Sequence, residues 1–383
     1  MPIHELARVP RIVAGIGARA RLPALVADIA GAGASVLLVA DPGLKASGMA
    51  DEVAAFLTGA GHPLAIFDDF ASDPSLAATD KAAALARAHK AALVVALGGG
   101  SAIDLGKAVA SIAGAARSAG AYQLCKRPFP KKRLPSICLP TTSGTGAETT
   151  RTSVLSRADK TKVWLWGENN KTDAVVLDPE LTVSLPAFFT AATGIDALVH
   201  AVEAATNRNA HAANNLFAYE AIRLATLHLE TAVAHPADLA ARAGMQRAAA
   251  LAGIAIDNTG TSIAHSIGHA MASLRPMHHG HAVGVAMLAT LPWNVEHDDG
   301  AFAACALAMG GKADAGEFVR RFDRLIRAVG LQLSVGEKFS GVSAEALAHR
   351  MMEPENVPML NANRRAPAAE ERIALARRVL EMA

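Results

Sequence analysis

Short apolar runs separated by amphipathic stretches fill the first half of the chain. "SVLLVAD" (Ser35–Asp41) is a continuous run of β-branched and leucine residues, of the length of a buried strand. "GMADEVAAFLTGAG" follows with helical spacing and closes on glycine, "LAIFDDF" predicts a second strand, and "SLAATDKAAALARAHK" predicts an alanine-rich helix. "AALVVALGGGS" predicts a strand that runs into three glycines, and "LPSICLPTTSGTG" one that opens into a loop of small hydroxyl residues. "DAVVLDPELT" (Asp173–Thr182) is the last strand expected. Strands that alternate with helices imply a parallel sheet covered on both faces. After "SLPAFFTAATG" the pattern changes, and from Asp196 to the C-terminus the period is helical, with no strand expected. The reading is an α/β domain over residues 1–185 and an all-α domain over 186–383, divided near Pro186.

Composition narrows this picture. Hydrophobic residues make up 51% of the chain but aromatics only 4%, so the core must be built from aliphatic side chains and alanine. A net charge of +2 gives no reason to expect nucleic acid or an acidic membrane as partner. No apolar run reaches the ~18 residues that suggest a membrane span. The start, "MPIHELARVP", lacks the basic-then-apolar pattern of a secretory signal. Cys125, Cys138 and Cys305 are odd in number and widely spaced, with no CxxC pair, so reduced thiols and a cytoplasmic location are expected. The basic cluster "KRPFPKKR" (Lys126–Arg133), broken by two prolines, reads as a solvated loop.

Two glycine-rich turns follow strands. In "ALGGGSAIDLGKA" the strand runs directly into Gly98, Gly99 and Gly100, and a helix starts near Ser101. Residues without Cβ let backbone amides and the positive end of a helix approach a pyrophosphate, and Ser101 is also placed to cap that helix. Lys107 reads as a packing or pairing residue. In "PTTSGTGAE", Thr141, Thr142, Ser143 and Thr145 offer hydroxyls beside Gly144 and Gly146. Two such loops after neighbouring strands favour a nucleotide crevice. Asp41, at a strand end, can hold the two hydroxyls of an adenine ribose and would repel a 2′-phosphate, which favours NAD over NADP; a turn role in "ADPG" explains it equally simply. "VAGIGARA" (Val13–Ala20) also spells a GxGxxA dinucleotide pattern, but only a short strand precedes it.

Five of the chain's 14 histidines crowd into "HSIGHAMASLRPMHHGH", His265 to His281. His265 and His269 share one helical face, as do Asp196 and His200 in "TGIDALVHAVEA". Unpaired polar groups on a buried face cost ~1–3 kcal/mol each, and a divalent ion such as Fe²⁺ or Zn²⁺ would satisfy several at once.

Together "GGGSAIDLGK", "PTTSGTGAE", "LDPELT", "TGIDALVHAVEA" and the His265–His279 spacing resemble the iron-containing (group III) alcohol dehydrogenase family, over nearly the whole chain. The resemblance implies a dehydroquinate synthase-like architecture, with an N-terminal α/β NAD-binding domain, an all-α C-terminal metal-binding domain and the site in the cleft between. It implies a metal held by Asp196, His200, His265 and His279, with His269 between metal and nicotinamide as a proton relay or a stacking residue. The cofactor contacts it implies are Asp41, Gly98, Gly99, Gly100, Ser101, Asp104, Thr141, Thr142, Thr145, Lys162 and Leu181, which makes the Gly15 pattern a decoy. It implies NAD and Fe²⁺ (or Zn²⁺) as cofactors, an alcohol or aldehyde as substrate and a homodimer. The expected reaction is hydride transfer between an alcohol and NAD, with the metal polarising the substrate oxygen. His278 and His281 have no counterpart role and read as rim residues. Trp164 and Trp166 in "KVWLWGENNKTD" and the late "NANRRAP" depart from the family pattern. A sugar-phosphate cyclase of related fold would need a lysine cluster beside the histidines, and none is seen.

Overall fold

The structure, a computed structural model, describes residues 3–382. The chain divides into two compact units. An α/β unit comprises Arg8–Thr142 and Gly146–Leu185; a helical unit comprises the chain from Pro186 on, with Ser143–Thr145 and the N-terminal stretch ending at Ala7.

The α/β unit contains β1 (Arg11–Ala14), β2 (Val36–Ala40), β3 (Leu64–Phe67), β4 (Leu93–Gly98), β5 (Ser136–Pro140), β6 (Thr152–Ser156), β7 (Lys162–Trp166) and β8 (Ala174–Leu177). Six of these form one parallel sheet in the order β1-β8-β5-β4-β2-β3. Helices α1 (Leu22–Ala30), α2 (Met49–Gly59), α3 (Leu76–Ala88) and α4 (Gly100–Ile112) cover it. The two-residue period of the strands divides the core. Val36 and Leu38 of β2 join Leu22, Leu25, Val53 and Leu57 from α1 and α2. Leu37 and Val39 join Ala82, Ala86, Leu105 and Val109 from α3 and α4. With apolar layers on both faces, these strands read as unbroken apolar runs.

The order of strands positions the ligand crevice. From β2 the chain passes outward to β3, whereas from β4 it passes the opposite way to β5. The carboxyl ends of two strands that diverge in this way form the usual binding crevice of an α/β sheet. Asp41 follows β2 there, and its N–H donates to the Leu97 carbonyl at 2.9 Å, one residue before Gly98.

Two local features differ from expectation. β6 and β7 form an antiparallel pair of their own, with Thr152 opposite Trp166 and Ser156 opposite Lys162. "TSVLS" is too polar to announce a strand, and only pairing with the alternating "KVWLW" makes it one. The expected strand "DAVVLDPELT" stops at Leu177. Asp178 accepts from the Glu180 N–H and opens a 3-10 turn over Pro179–Thr182.

The helical unit runs through α5 (Ala187–Thr206), α6 (Ala212–Ala234), α7 (Leu239–Thr259), α8 (Ile263–Leu274), α9 (His279–Val295), α10 (Ala301–Ala308), α11 (Ala315–Ala328), α12 (Ala344–Arg350), α13 (Val357–Ala362) and α14 (Ala369–Leu380). Helix α5 begins well before Asp196, with Pro186 just outside its first turn, where a missing N–H costs nothing. Every residue from Thr190 to Thr206 is buried. A helix buried on all sides is the centre of its bundle, and α6, α7 and α9 pack around this one. Among the described residues no helix is long and apolar enough to cross a membrane.

Candidate metal centre and cofactor loops

Three helices of the helical unit supply the histidine cluster. Asp196, His200 and Glu203 lie along one face of α5, His265 and His269 along one face of α8, and His279 is the first residue of α9. Gly280 sets the approach of α9 to α5. A Cβ there would stand 2.2 Å from the Ala192 carbonyl oxygen and 2.9 Å from the Asp196 Cβ. Only glycine admits this contact, and it carries the adjacent His279 to Asp196.

Asp196, His200, His265 and His279 each present one donor atom, and the four atoms lie within 4.8 Å of one another. Asp196 Oδ1 is 3.6 Å from His265 Nε2 and 3.6 Å from His279 Nε2; Asp196 Oδ2 is 4.0 Å from His200 Nδ1. These separations exceed hydrogen-bond length. Donors bound tetrahedrally to one ion at about 2.1 Å stand about 3.4 Å apart, which is close to what is seen. Asp196 Oδ1, His200 Nδ1 and His265 Nε2 are buried with no hydrogen-bond partner. Three such atoms converging on one point would be a heavy cost in a site meant to stay empty. One carboxylate and three imidazoles are a donor set suited to Fe²⁺ or Zn²⁺, so the residues fit the group that the histidine pattern implies.

The charges around this point oppose one another. Burial would raise the Asp196 carboxyl, but His200, His279 and His265 outweigh it and hold the group far below the ordinary carboxylate range. Burial pushes His200 down to about 4 despite Asp196, which keeps that ring neutral and free to donate a lone pair. His265 goes the other way. Burial lowers it, but Glu203 and Asp196 together raise it to about 9.

Other members of the histidine segment sit outside the donor cluster. The partly buried His269 ring lies 5.1 Å from the His279 ring and 6.4 Å from that of His265. His278 packs against Phe188 and Phe189 at 5.8 and 5.4 Å, and His281 Nε2 meets the Gln332 carbonyl. Sequence reasoning missed Glu203, which is 2% exposed and 2.6 Å from His265 Nδ1. Its signal was present: it falls seven residues after Asp196 and three after His200, on the same helical face.

In the α/β unit Asp41 and Gly98 stand side by side at the crevice, whereas Thr145 belongs to the helical unit. Gly98 has φ +147°, and a Cβ there would stand 2.6 Å from the Asp41 Cβ and 2.7 Å from the Ala102 Cβ. The first glycine is thus required by the chain's own packing. Thr141 N–H donates to the Gly98 carbonyl at 2.9 Å. Asp41 Oδ1 accepts from the Gly43 N–H at 2.9 Å, the turn role its "ADPG" context allows. Ser101 does not cap α4. Gly99 holds that position without a side-chain bond, and Ser101 Oγ accepts from the Asp73 N–H at 3.2 Å. Asp73 in turn pairs with Lys162 at 2.9 Å. Asp104 is buried and committed internally, with Oδ1 3.4 Å from Lys107 Nζ and Oδ2 accepting from the Val154 N–H at 2.9 Å. Leu181 is buried in the layer beneath α1. Trp164 and Trp166 alternate outward on β7 with buried Val163 and Leu165, and the Arg151 guanidinium lies 4.9 Å over the Trp166 ring. The GxGxxA turn is spent elsewhere. Gly17 and Arg19 N–H groups donate to the Asp178 carboxylate at 3.2 and 3.1 Å, and β1 is the far edge of the sheet. Amides engaged by an internal carboxylate cannot also cradle a phosphate.

Comparison with known proteins agrees with this layout. Residues 10–179 match the family model described as iron-containing alcohol dehydrogenase, and residues 190–376 match the C-terminal model of the Fe-containing alcohol dehydrogenase family. The chain is 33% identical to long-chain-alcohol dehydrogenase 1 of Geobacillus thermodenitrificans over 90% of its length and 91% of the relative's. Among solved structures, 1,3-propanediol oxidoreductase superposes with a TM-score of 0.90 at 29% identity, covering 99% of this chain and 100% of the other. Sulfoacetaldehyde reductase from Bifidobacterium kashiwanohense, solved in complex with NAD⁺, superposes with a TM-score of 0.91 at 26% identity, covering 100% of both chains.

Proposed function

The chain belongs to the iron-containing alcohol dehydrogenase family, and from that premise we propose that it interconverts an alcohol and its aldehyde with NAD and a divalent ion, Fe²⁺, held by Asp196, His200, His265 and His279. The observation that carries this reading is the convergence of four donor atoms, three of them buried without a hydrogen-bond partner, on one point. A divalent ion in this nest supplies a Lewis acid, and NAD supplies the hydride acceptor.

The chain's own residues do the rest. Asp196 is the one anionic donor of the four, and the other three are imidazoles. His200 stays neutral at every physiological pH because it is buried. His269, next to His279, carries the alcohol proton away, a task suited to an imidazole, whose two nitrogens can accept and donate. Gly98, Gly99, Gly100 and Ser101 at the start of α4 receive the cofactor's phosphates. Thr141, Thr142, Thr145, Asp104, Lys162 and Leu181 complete the cofactor site, and Asp41 holds the adenine ribose. Three free cysteines support a reducing cytoplasm. The outer edge of β1, with Val9, Ile12 and Ile16 exposed nearby, supports a homodimer.

Stripping the protein with a chelator and restoring Fe²⁺ or Zn²⁺, with NADH formation followed across a panel of primary alcohols, tests the proposal. Activity that vanishes and returns with the ion is expected. Full turnover in metal-free protein refutes it.

A further inference from the structure

Helix α8 begins without a cap of its own. Ser262 occupies the capping position, yet its side chain makes no capping bond. The first amides of a buried helix need acceptors, and Glu203, reaching across from α5, provides them. Its Oε2 accepts from the Ser262 N–H at 2.7 Å, and its Oε1 from the Ala264 N–H at 2.8 Å and the His265 N–H at 3.4 Å. The same Oε2 lies 2.6 Å from His265 Nδ1. Glu203 is 2% exposed, so no water competes for these positions.

Both Glu203 oxygens already accept from backbone N–H groups, so the bond to the ring is donated by Nδ1. His265 Nε2, on the other side of the ring and 3.6 Å from Asp196 Oδ1, is then the nitrogen left to face an ion. One side chain thus starts the helix, orients the ring and selects its tautomer. We propose that Glu203 is the positioning residue of the metal centre, presenting His265 Nε2 as a ligand while anchoring the first turn of α8. The proposal rests on the reading of His265 as a ligand.

Glu203→Gln tests it with almost no change of shape. Glutamine has one oxygen where glutamate has two, so in either orientation its amide N–H₂ faces a backbone N–H or the Nδ1–H. Loss of a carboxylate partner behind a ligating histidine typically weakens metal binding 10–100-fold. The readout is Zn²⁺ affinity by chelator competition, in the wild type, Glu203→Gln, His265→Ala and the double variant, with melting of the metal-free proteins measured alongside. The expected result is a 10–100-fold loss in Glu203→Gln that disappears in the His265→Ala background, because the glutamate acts through that ring. An affinity within about twofold of wild type, whatever the melting temperature does, overturns the proposal. An equal loss in both backgrounds also overturns it, since the glutamate would then act on the fold alone. Wild-type affinity in His265→Ala would instead sink the ligand reading itself. Should Glu203→Gln fail to fold, imidazole ¹⁵N shifts of the Zn²⁺-loaded wild type decide. A proton on His265 Nδ1 is expected, and a bare or ligated Nδ1 refutes the proposal.

Discussion

Replacing Lys107 with methionine removes the cation at the centre of the α/β unit without emptying its volume. Lys107 Nζ is fully buried and bonds to Asp104 Oδ1, the Ala147 carbonyl, Thr150 Oγ1 and the Thr152 carbonyl. These partners belong to α4, to the segment after the threonine loop and to β6, so one ammonium ties three elements together. The variant leaves Asp104 buried with only the Val154 N–H beside it. Breaking a buried pair in this way costs about 3–5 kcal/mol, chiefly for the stranded charge. Urea unfolding followed by Trp164 and Trp166 fluorescence measures the loss. The pH dependence is a second signature. Burial already raises Asp104, and it raises the neighbouring Glu148 to about 7, while Lys107 pulls both down. An acid whose folded pKa is raised contributes stability that is present below its unfolded pKa and lost as pH rises through the folded one. Without the lysine both carboxyls rise further, so the deficit of Lys107→Met shrinks as pH falls from neutrality towards about 4. Adding Asp104→Asn, which keeps an acceptor for Val154 but needs no cation, recovers more than about half of the loss. A deficit below about 1 kcal/mol, or one independent of pH, would refute the account of this pair.

Four further outcomes follow from other parts of the structure. Asp41→Gly removes the carboxylate at the end of β2 and should shift cofactor preference towards NADP, read as the ratio of kcat/KM for the two cofactors; an unchanged ratio removes the ribose role. Metal affinity should fall about tenfold per pH unit below 9, because His265, raised to about 9 when no ion is present, must lose a proton to bind one. Zn²⁺ competition titrations at several pH values check this. The metal-free protein should show the opposite trend, since the stability contributed by protonated His265 is complete below ~6.5 and lost as pH rises through about 9. Gly280→Ala drives a methyl group into the Ala192 carbonyl and should cost about 1–3 kcal/mol by thermal or urea melts while weakening metal retention through His279.

Much of the fold could be read from the chain because its physical signals are local. The strands of the parallel sheet are buried on both faces, so "VLLVA" and "LVVALG" announce themselves without partners. The β6–β7 pair could not be read this way, because Thr152 and Ser153 become strand residues only once β7 lies beside them. The histidine cluster stood out by type and spacing, the family resemblance singled out Asp196, His200, His265 and His279 within it, and the structure brings those four together. Glu203 did not stand out, since a glutamate late in an alanine-rich helix looks solvated until α8 is packed on it. The capping reading of Ser101 failed for the same reason. Its competing partner, Asp73, lies 28 residues earlier and meets it only in three dimensions.

Helix α5 leaves natural variation little room. Its circumference is enclosed from Thr190 to Thr206, and Asp196, His200 and Glu203 are embedded in that stretch. A lineage that drifted towards a different ion could not exchange donors on this helix without also rebuilding the interior of the bundle. The routes less enclosed are the partly covered groups, His279 at the start of α9 and His269 on α8.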